Sequence, residues 1–185
     1  MWVFLASDCL FFGSLIATYL IYFGKSVDGP LPSQILDIPV TSVSTFVLLL
    51  SSFMFVLSLA AHTRGDYKAF RIWVFCTAVL GSTFLGFQVF EFQHFVHVGH
   101  LTPRTNLFGS TFFTLTGFHG AHVTVGVVWL LSLFFLSLRG KLGADKNLSV
   151  DIAGLYWHFV DIVWIVIFTV VYLTGVALGG PAPTH

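Results

Sequence analysis

Residues 41–61 read TSVSTFVLLLSSFMFVLSLAA, a stretch of 21 residues without a charged side chain or a proline. An α-helix that crosses the hydrocarbon core of a bilayer needs about 20 mainly apolar residues. A strand of a membrane barrel would instead alternate apolar and polar residues with a period of two. The continuous apolar run therefore predicts a membrane-spanning helix.

Four further apolar runs flank this one, at residues 2–23, 69–95, 108–138 and 152–178. Over the 185 residues of the chain, 56% are hydrophobic and only 9% are charged. In a soluble domain roughly a quarter of the residues are charged, so lipid rather than water must surround this chain. We predict an all-α membrane protein, a bundle of five transmembrane helices that forms a single domain over residues 1–185.

Lysine and arginine are unevenly shared between the two sides that these spans define. Six of the eight cations fall on the side of the N-terminus and two on the opposite side. Positive charge is enriched in cytoplasmic loops, so we predict a cytoplasmic N-terminus and an outside C-terminus. The first group comprises Arg64, Lys68, Arg71, Arg139, Lys141 and Lys146, and the second comprises Lys25 and Arg104.

Several ionisable side chains lie within the predicted spans. A charge at the bilayer centre costs about 2.5–3.5 kcal/mol on insertion scales, so such groups need a partner or a function. One hypothesis is a hydrogen-bonded His/Asp cluster between the fourth and fifth spans that fixes helix packing; another is a proton relay or a lipid-headgroup site. The candidates are Asp8, Glu91, His119, His122, His158 and Asp161.

A metal site is the alternative use of the eight histidines. His94, His97 and His100 recur at intervals of three residues, and Glu91 with His94 forms one Glu-x-x-His pair. Helical di-iron sites use two such pairs, and these residues fall at a membrane edge, away from His119 and the fourth span. We therefore predict no metal ligand and no catalytic residue in this chain.

Small and aromatic residues predict close contacts between helices. Gly117, Gly120 and Gly126 lie along the fourth span, and small residues let membrane helices approach closely. Trp157 and Trp164 form an aromatic stripe on the fifth span. The formal net charge is zero and no basic tract occurs, so nucleic acid is not expected as a partner.

Two long motifs resemble the cytochrome c oxidase subunit III family. They are residues 116–123, TGFHGAHV, followed by Gly126, and residues 156–164, YWHFVDIVW. Residues 4–12, 45–52, 87–91 and 109–113 support the resemblance, which covers nearly the whole chain. Larger members have seven helices, and this chain begins where their third would, as in five-helix bacterial members. Asp8 stands where the family usually has glutamate.

The resemblance implies a non-catalytic core subunit of a haem–copper terminal oxidase, the proton-pumping complex that reduces oxygen in aerobic respiration. It implies packing on subunit I, contact with subunit II, bound phospholipid, and support of proton uptake and stability. Haem and copper are expected in the partner subunits, with cytochrome c or quinol as electron donor. The expected location is the bacterial cytoplasmic membrane, with several membrane passes.

Three alternatives stay open on the sequence alone. A related five-helix subunit associated with nitric-oxide reductase shares the helix pattern. A self-contained metal-dependent membrane enzyme would use the histidines for catalysis. A transporter would use the buried acids, although the chain lacks the internal repeats that build many transporters.

Overall fold

The computed structural model describes residues 1–23, 38–97, 107–140, 142 and 147–173. These residues form five long helices, and no strand occurs among them. The helices are α1 (Trp2–Tyr22), α2 (Ile38–Thr63), α3 (Tyr67–His97), α4 (Leu107–Leu138) and α5 (Asn147–Ile167). A π-helical segment, Phe168–Leu173, continues α5.

All five helices are long and apolar enough to cross a membrane, the fifth as the combined span Leu148–Leu173. The prediction of an all-α protein with five transmembrane helices is therefore confirmed. The orientation of the termini stays a prediction. Lys25, Arg104, Lys141 and Lys146, four of the cations on which it depends, lie outside the described residues, as does His100.

The turn between α2 and α3 shows why these two helices form a tight hairpin. Gly65 has a left-handed backbone with φ of 75°, and its N–H donates to the carbonyl of His62 at 3.0 Å. The N–H of Asp66 donates to the carbonyl of Ala61 at 3.0 Å, which completes a Schellman cap. Asp66 then starts α3, because its Oδ1 accepts from the N–H of Ala69 at 3.1 Å.

Helices α2, α3, α4 and α5 form a ring in which each packs mainly against its two neighbours, with α5 closing on α2. Helix α1 lies outside this ring, against α4 and α5. The ring encloses large aromatic side chains, among them Phe55, Phe84, Phe112, Trp157 and Trp164. Helix α1 is the least embedded of the five helices. Within its most apolar 18 residues only 22% are buried, against 33–50% in the other helices.

Arg71 fastens one end of α3 to the end of α4. Its Nε donates to Ser137 Oγ at 3.0 Å and its Nη2 donates to the Ser137 carbonyl at 2.7 Å. The guanidinium thereby adds a second donor to a carbonyl in the last turn of α4, which also accepts from the N–H of Gly140 at 3.1 Å. Arg71 is half-buried, so the contact anchors the α3–α4 pair at the membrane edge.

Candidate functional site at the contacts of helices α1, α4 and α5

Asp8 of α1 meets His122 of α4 inside the membrane span. Asp8 Oδ2 lies 3.5 Å from His122 Nε2, and both side chains are largely buried. On its other side the ring of His122 is held by its own helix, where Nδ1 donates to the Phe118 carbonyl at 2.8 Å. The Tyr156 hydroxyl donates to the His122 carbonyl at 2.9 Å. Residues from three helices therefore converge on this pair.

His119 lies one turn before His122 but points into the ring of helices. It is 0% exposed, and neither ring nitrogen has a hydrogen-bond partner among the described residues. Its ring stacks on Trp164 at 4.8 Å and meets Phe84 edge-on at 5.9 Å. His119 is thus held by aromatic packing alone within the described chain.

His158 and Asp161 share one face of α5, and that face meets α2. His158 Nδ1 is hydrogen-bonded to the Ser52 hydroxyl at 2.5 Å. The carboxyl group of Asp161 is 3% exposed and makes no hydrogen bond of normal geometry among the described residues, although the Ser52 hydroxyl lies close to it. An acid buried in this way is expensive unless it is protonated or hydrated.

The hypothesis of a His/Asp cluster between α4 and α5 is therefore corrected. His122 pairs with Asp8 of α1, and His158 pairs with Ser52 of α2. The space between α4 and α5 is filled instead by Trp164, which stacks on His119. The spacing of three residues correctly places His158 and Asp161 on one face of α5, but it does not say that this face meets α2. His119 and His122 have the same spacing on α4, yet they meet different neighbours.

Glu91 joins three helices near the end of α3. Thr41 of α2 donates its hydroxyl hydrogen to Glu91 Oε1, and the Tyr172 hydroxyl lies within hydrogen-bonding reach of both residues. Tyr172 lies in the π-helical segment, which widens the last turn of α5. Thr45 lies one turn from Thr41 and accepts a hydrogen bond from Trp164 Nε1 at 3.0 Å. A polar seam therefore runs along α2.

The histidines at the end of α3 do not gather into a metal site among the described residues. His97 uses Nδ1 to bond the carbonyl of its own helix at Gln93, at 3.0 Å. His94 lies with Glu91 at the edge of an open pocket of about 230 Å³. Within the described ranges no three His, Cys, Asp or Glu side chains are close enough to share a metal ion.

The ring of Trp157 occupies a slot that two glycines create. A Cβ atom built on Gly81 would lie 2.6 Å from Trp157 Cη2, and one built on Gly126 would lie 2.7 Å from Trp157 Cζ3. The indole nitrogen donates to Ser51 Oγ at 3.1 Å. Trp157 therefore ties α5 to α2, α3 and α4 at once.

Gly120 and Gly117 have different surroundings although they lie on the same helix. A Cβ atom at Gly120 would lie 2.7 Å from Gln88 Oε1 of α3, and Gln88 Nε2 donates to the Thr116 carbonyl at 2.7 Å. A Cβ atom at Gly117 would meet nothing within 4 Å. Within the described chain, Gly117 thus lies on the outer surface, in a shallow groove beside Phe118.

The sequence profile of the family described as cytochrome c oxidase subunit III matches residues 1–176. The chain belongs to this family. It is 40% identical to the cytochrome c oxidase subunit 3 of Bacillus sp. (strain PS3) over 174 residues, which is 94% of this chain and 84% of that protein. The resemblance of the motifs at residues 116–123 and 156–164 is therefore confirmed.

Other relatives of this subunit III chain carry a different oxidase name. This chain is 38% identical to the quinol oxidase subunit 3 of Bacillus subtilis (strain 168), over 97% of this chain and 86% of that protein. It is also 38% identical to the cytochrome bo(3) ubiquinol oxidase subunit 3 of Pseudomonas aeruginosa, over 94% of this chain and 83% of that protein. Five spans and these bacterial relatives identify a multi-pass bacterial membrane protein.

The sequence did not predict several polar contacts of this subunit III fold. Thr41, Thr45, Ser51 and Ser52 all lie on α2 and bond side chains of α3 or α5. The signal was present, because hydroxyl residues recur within the apolar run 41–61 at intervals close to a helical period. Hydroxyl groups in a membrane helix also bond their own backbone, so the pattern alone did not reveal partners on other helices.

Proposed function

We propose that this chain is the non-catalytic third core subunit of a haem–copper terminal oxidase, packing on subunit I and lying beside subunit II. The observation that carries the proposal is the match of the subunit III family over residues 1–176. The relatives compared above are named as oxidase subunits. They favour an oxidase over a subunit associated with nitric-oxide reductase.

The contacts of the three central imidazoles support placing copper in a partner subunit. His119 stacks on Trp164, His122 faces Asp8, and His158 bonds a serine. These rings lie in three separate helix contacts, whereas a copper ion held by protein side chains needs several ligands converging on one point. The role of this chain is then to support the redox subunits through contact and lipid binding.

A groove between α1 and α5 supports the lipid-binding part of the proposal. It has a volume of about 350 Å³ and is lined by apolar side chains such as Leu5, Leu155 and Ile162, with His158 at its wall. It is open to the outer surface of the bundle, as an acyl chain lying along the helices requires. A phospholipid bound here would fill the gap left by the sparse packing of α1.

The experiment that tests the proposal is purification of the intact complex through an affinity tag on this chain. We expect native mass spectrometry to find the chain with haem-containing and copper-containing oxidase subunits. We expect the polypeptide, once separated, to retain no stoichiometric haem or copper. Recovery with nitric-oxide reductase subunits, or metal bound to the separated polypeptide, would contradict the assignment.

A second prediction concerns Asp8, the acid proposed to support proton uptake. Changing Asp8→Asn should shorten the working lifetime of the oxidase during turnover and slow proton delivery, because an amide cannot bind and release a proton as a carboxyl group does. The haem spectra should stay unchanged. Ser7→Ala is the matched control, since Ser7 is exposed and bonds only its own helix at the Phe4 carbonyl among the described residues. An unchanged lifetime and pumping ratio in Asp8→Asn would leave Asp8 a packing role alone.

A further inference from the structure

The hydrogen bond of His122 to its own helix determines which ring nitrogen faces Asp8 with a lone pair. Nδ1 lies 2.8 Å from the Phe118 carbonyl, and a carbonyl oxygen can only accept. Nδ1 must therefore carry a hydrogen. A neutral imidazole has a single N–H, so Nε2 of neutral His122 presents a lone pair to the Asp8 carboxyl group.

Two acceptors facing each other do not attract. With His122 neutral and Asp8 ionised, a carboxylate oxygen would point at the Nε2 lone pair across 3.5 Å. One added proton makes the contact favourable, either as a carboxylic acid that donates to Nε2 or as an imidazolium that donates to the carboxylate. Because the site is largely buried in a membrane span, it gains little compensation from water.

This contact lies on α1, the helix that packs least against the others. Helix α1 packs only on α4 and α5 among the main helix contacts, outside the ring of four. Near Asp8 its other interactions are aromatic: the ring of Phe11 meets Phe118 at 5.1 Å, and the ring of Phe12 meets His122 at 5.1 Å. When the Asp8–His122 contact changes from attraction to repulsion, the change therefore acts on the helix that has the fewest other packing contacts.

Two titratable groups of the facing helices, Tyr156 and His119, lie near enough to interact electrostatically with Asp8 and His122 respectively. Tyr156 of α5 uses its hydroxyl hydrogen on the His122 carbonyl, and His119 turns away towards Trp164. Elsewhere in the described chain, His158 of α5 bonds Ser52, Asp161 of α5 lies beside Ser52, and Glu91 of α3 bonds Thr41.

We propose that Asp8 and His122 form a proton clamp, in which one proton held between Asp8 Oδ2 and His122 Nε2 fastens α1 to α4. Binding the proton closes the clamp, and losing it releases α1 from the ring of helices. No other atom is transferred, and the proton comes from and returns to water at the membrane surface. The clamp closes as the pH falls and opens as the pH rises.

Distances between two nitroxide labels test the proton clamp in the purified complex in lipid nanodiscs. Val3→Cys on α1 and Leu138→Cys on α4 place labels at exposed positions on the same end of the bundle, after Cys9→Ser and Cys76→Ser remove the free thiols. Measurements are made at two well-separated values, about pH 5 and about pH 9. We expect a narrow distance distribution at the lower pH and a broader, longer one at the higher pH.

Two variants should abolish this pH response. In Asp8→Asn the amide N–H donates to the Nε2 lone pair, and in His122→Gln the amide N–H donates to the ionised carboxylate, so each closes the contact without an added proton. Both should give narrow distributions at both pH values, whereas Ser7→Ala should behave like the parent. A parent without pH response, or variants that keep the full response, would overturn the clamp. Since the measurement starts from the assembled complex, such a result leaves the proposed function standing.

Discussion

Gly126→Ala is expected to lower the free energy of unfolding of the chain by about 1–3 kcal/mol, the usual cost of overpacking a filled core. The added methyl carbon would lie 2.7 Å from Trp157 Cζ3 and 2.8 Å from Cε3, closer than non-bonded carbon atoms approach. The indole ring has little room to retreat, because it also packs closely on Gly81 of α3, where a built Cβ atom would lie 2.6 Å from Trp157 Cη2. The measurement is the fraction of the chain that stays folded and associated as a denaturing detergent is added to the complex.

Gly86→Ala is the matched control for this prediction. Gly86 also lies within a membrane helix, but a Cβ atom there would meet nothing within 4 Å. Replacing glycine by alanine in an open helical position stabilises a helix by roughly 0.5–1 kcal/mol. The two substitutions should therefore shift the unfolding curve in opposite directions. Equal shifts would show that the slot around Trp157 is not tightly packed.

Trp164→Ala is the second substitution with a large expected effect, a loss of about 3 kcal/mol or more in the free energy of unfolding. Trp164 is 1% exposed, stacks on His119 at 4.8 Å and meets Phe84 edge-on at 4.8 Å. Its Nε1 also donates to Thr45 Oγ1 at 3.0 Å. The truncation leaves a cavity beside a buried imidazole that has no hydrogen bond among the described residues.

Two further variants separate the packing of Trp164 from its hydrogen bond. Trp164→Phe keeps a ring against His119 but removes the donor to Thr45, so it should cost about 1 kcal/mol, measured by the same detergent titration. Phe135→Ala removes an aromatic ring that is 57% exposed on α4 and should have a much smaller effect than Trp164→Ala. If Phe135→Ala and Trp164→Ala destabilise the complex equally, the stacked contact with His119 does not carry the predicted stability.

The sequence predicted the fold of this protein more completely than the contacts of the candidate site. Five spans followed from five uninterrupted apolar runs, because membrane thickness imposes a length on each helix. The motifs at residues 116–123 and 156–164 by themselves indicate the family. The residues Asp8, His122, His158 and Asp161 were identified because ionisable groups are rare and costly inside a bilayer.

The pairing of those groups could not be predicted, and His119 shows why. His119 and His122 are three residues apart, yet one faces Trp164 within the ring and the other faces Asp8 of α1. Helical spacing places side chains around one helix but carries no information on how the next helix is rotated. The same limit applies to Asp161, whose face meets α2 rather than α4.

By itself, the sequence determined that this chain spans a membrane five times and belongs with subunit III of the oxidases. The tertiary structure alone decided that Asp8 pairs with His122, that His158 bonds Ser52, and that Trp157 fits between Gly81 and Gly126. The physical reason is that lipid is as apolar as the protein core, so hydrophobicity does not distinguish the inner face of a membrane helix from the outer. Close packing of small and aromatic residues, distant from one another in the chain, makes that choice.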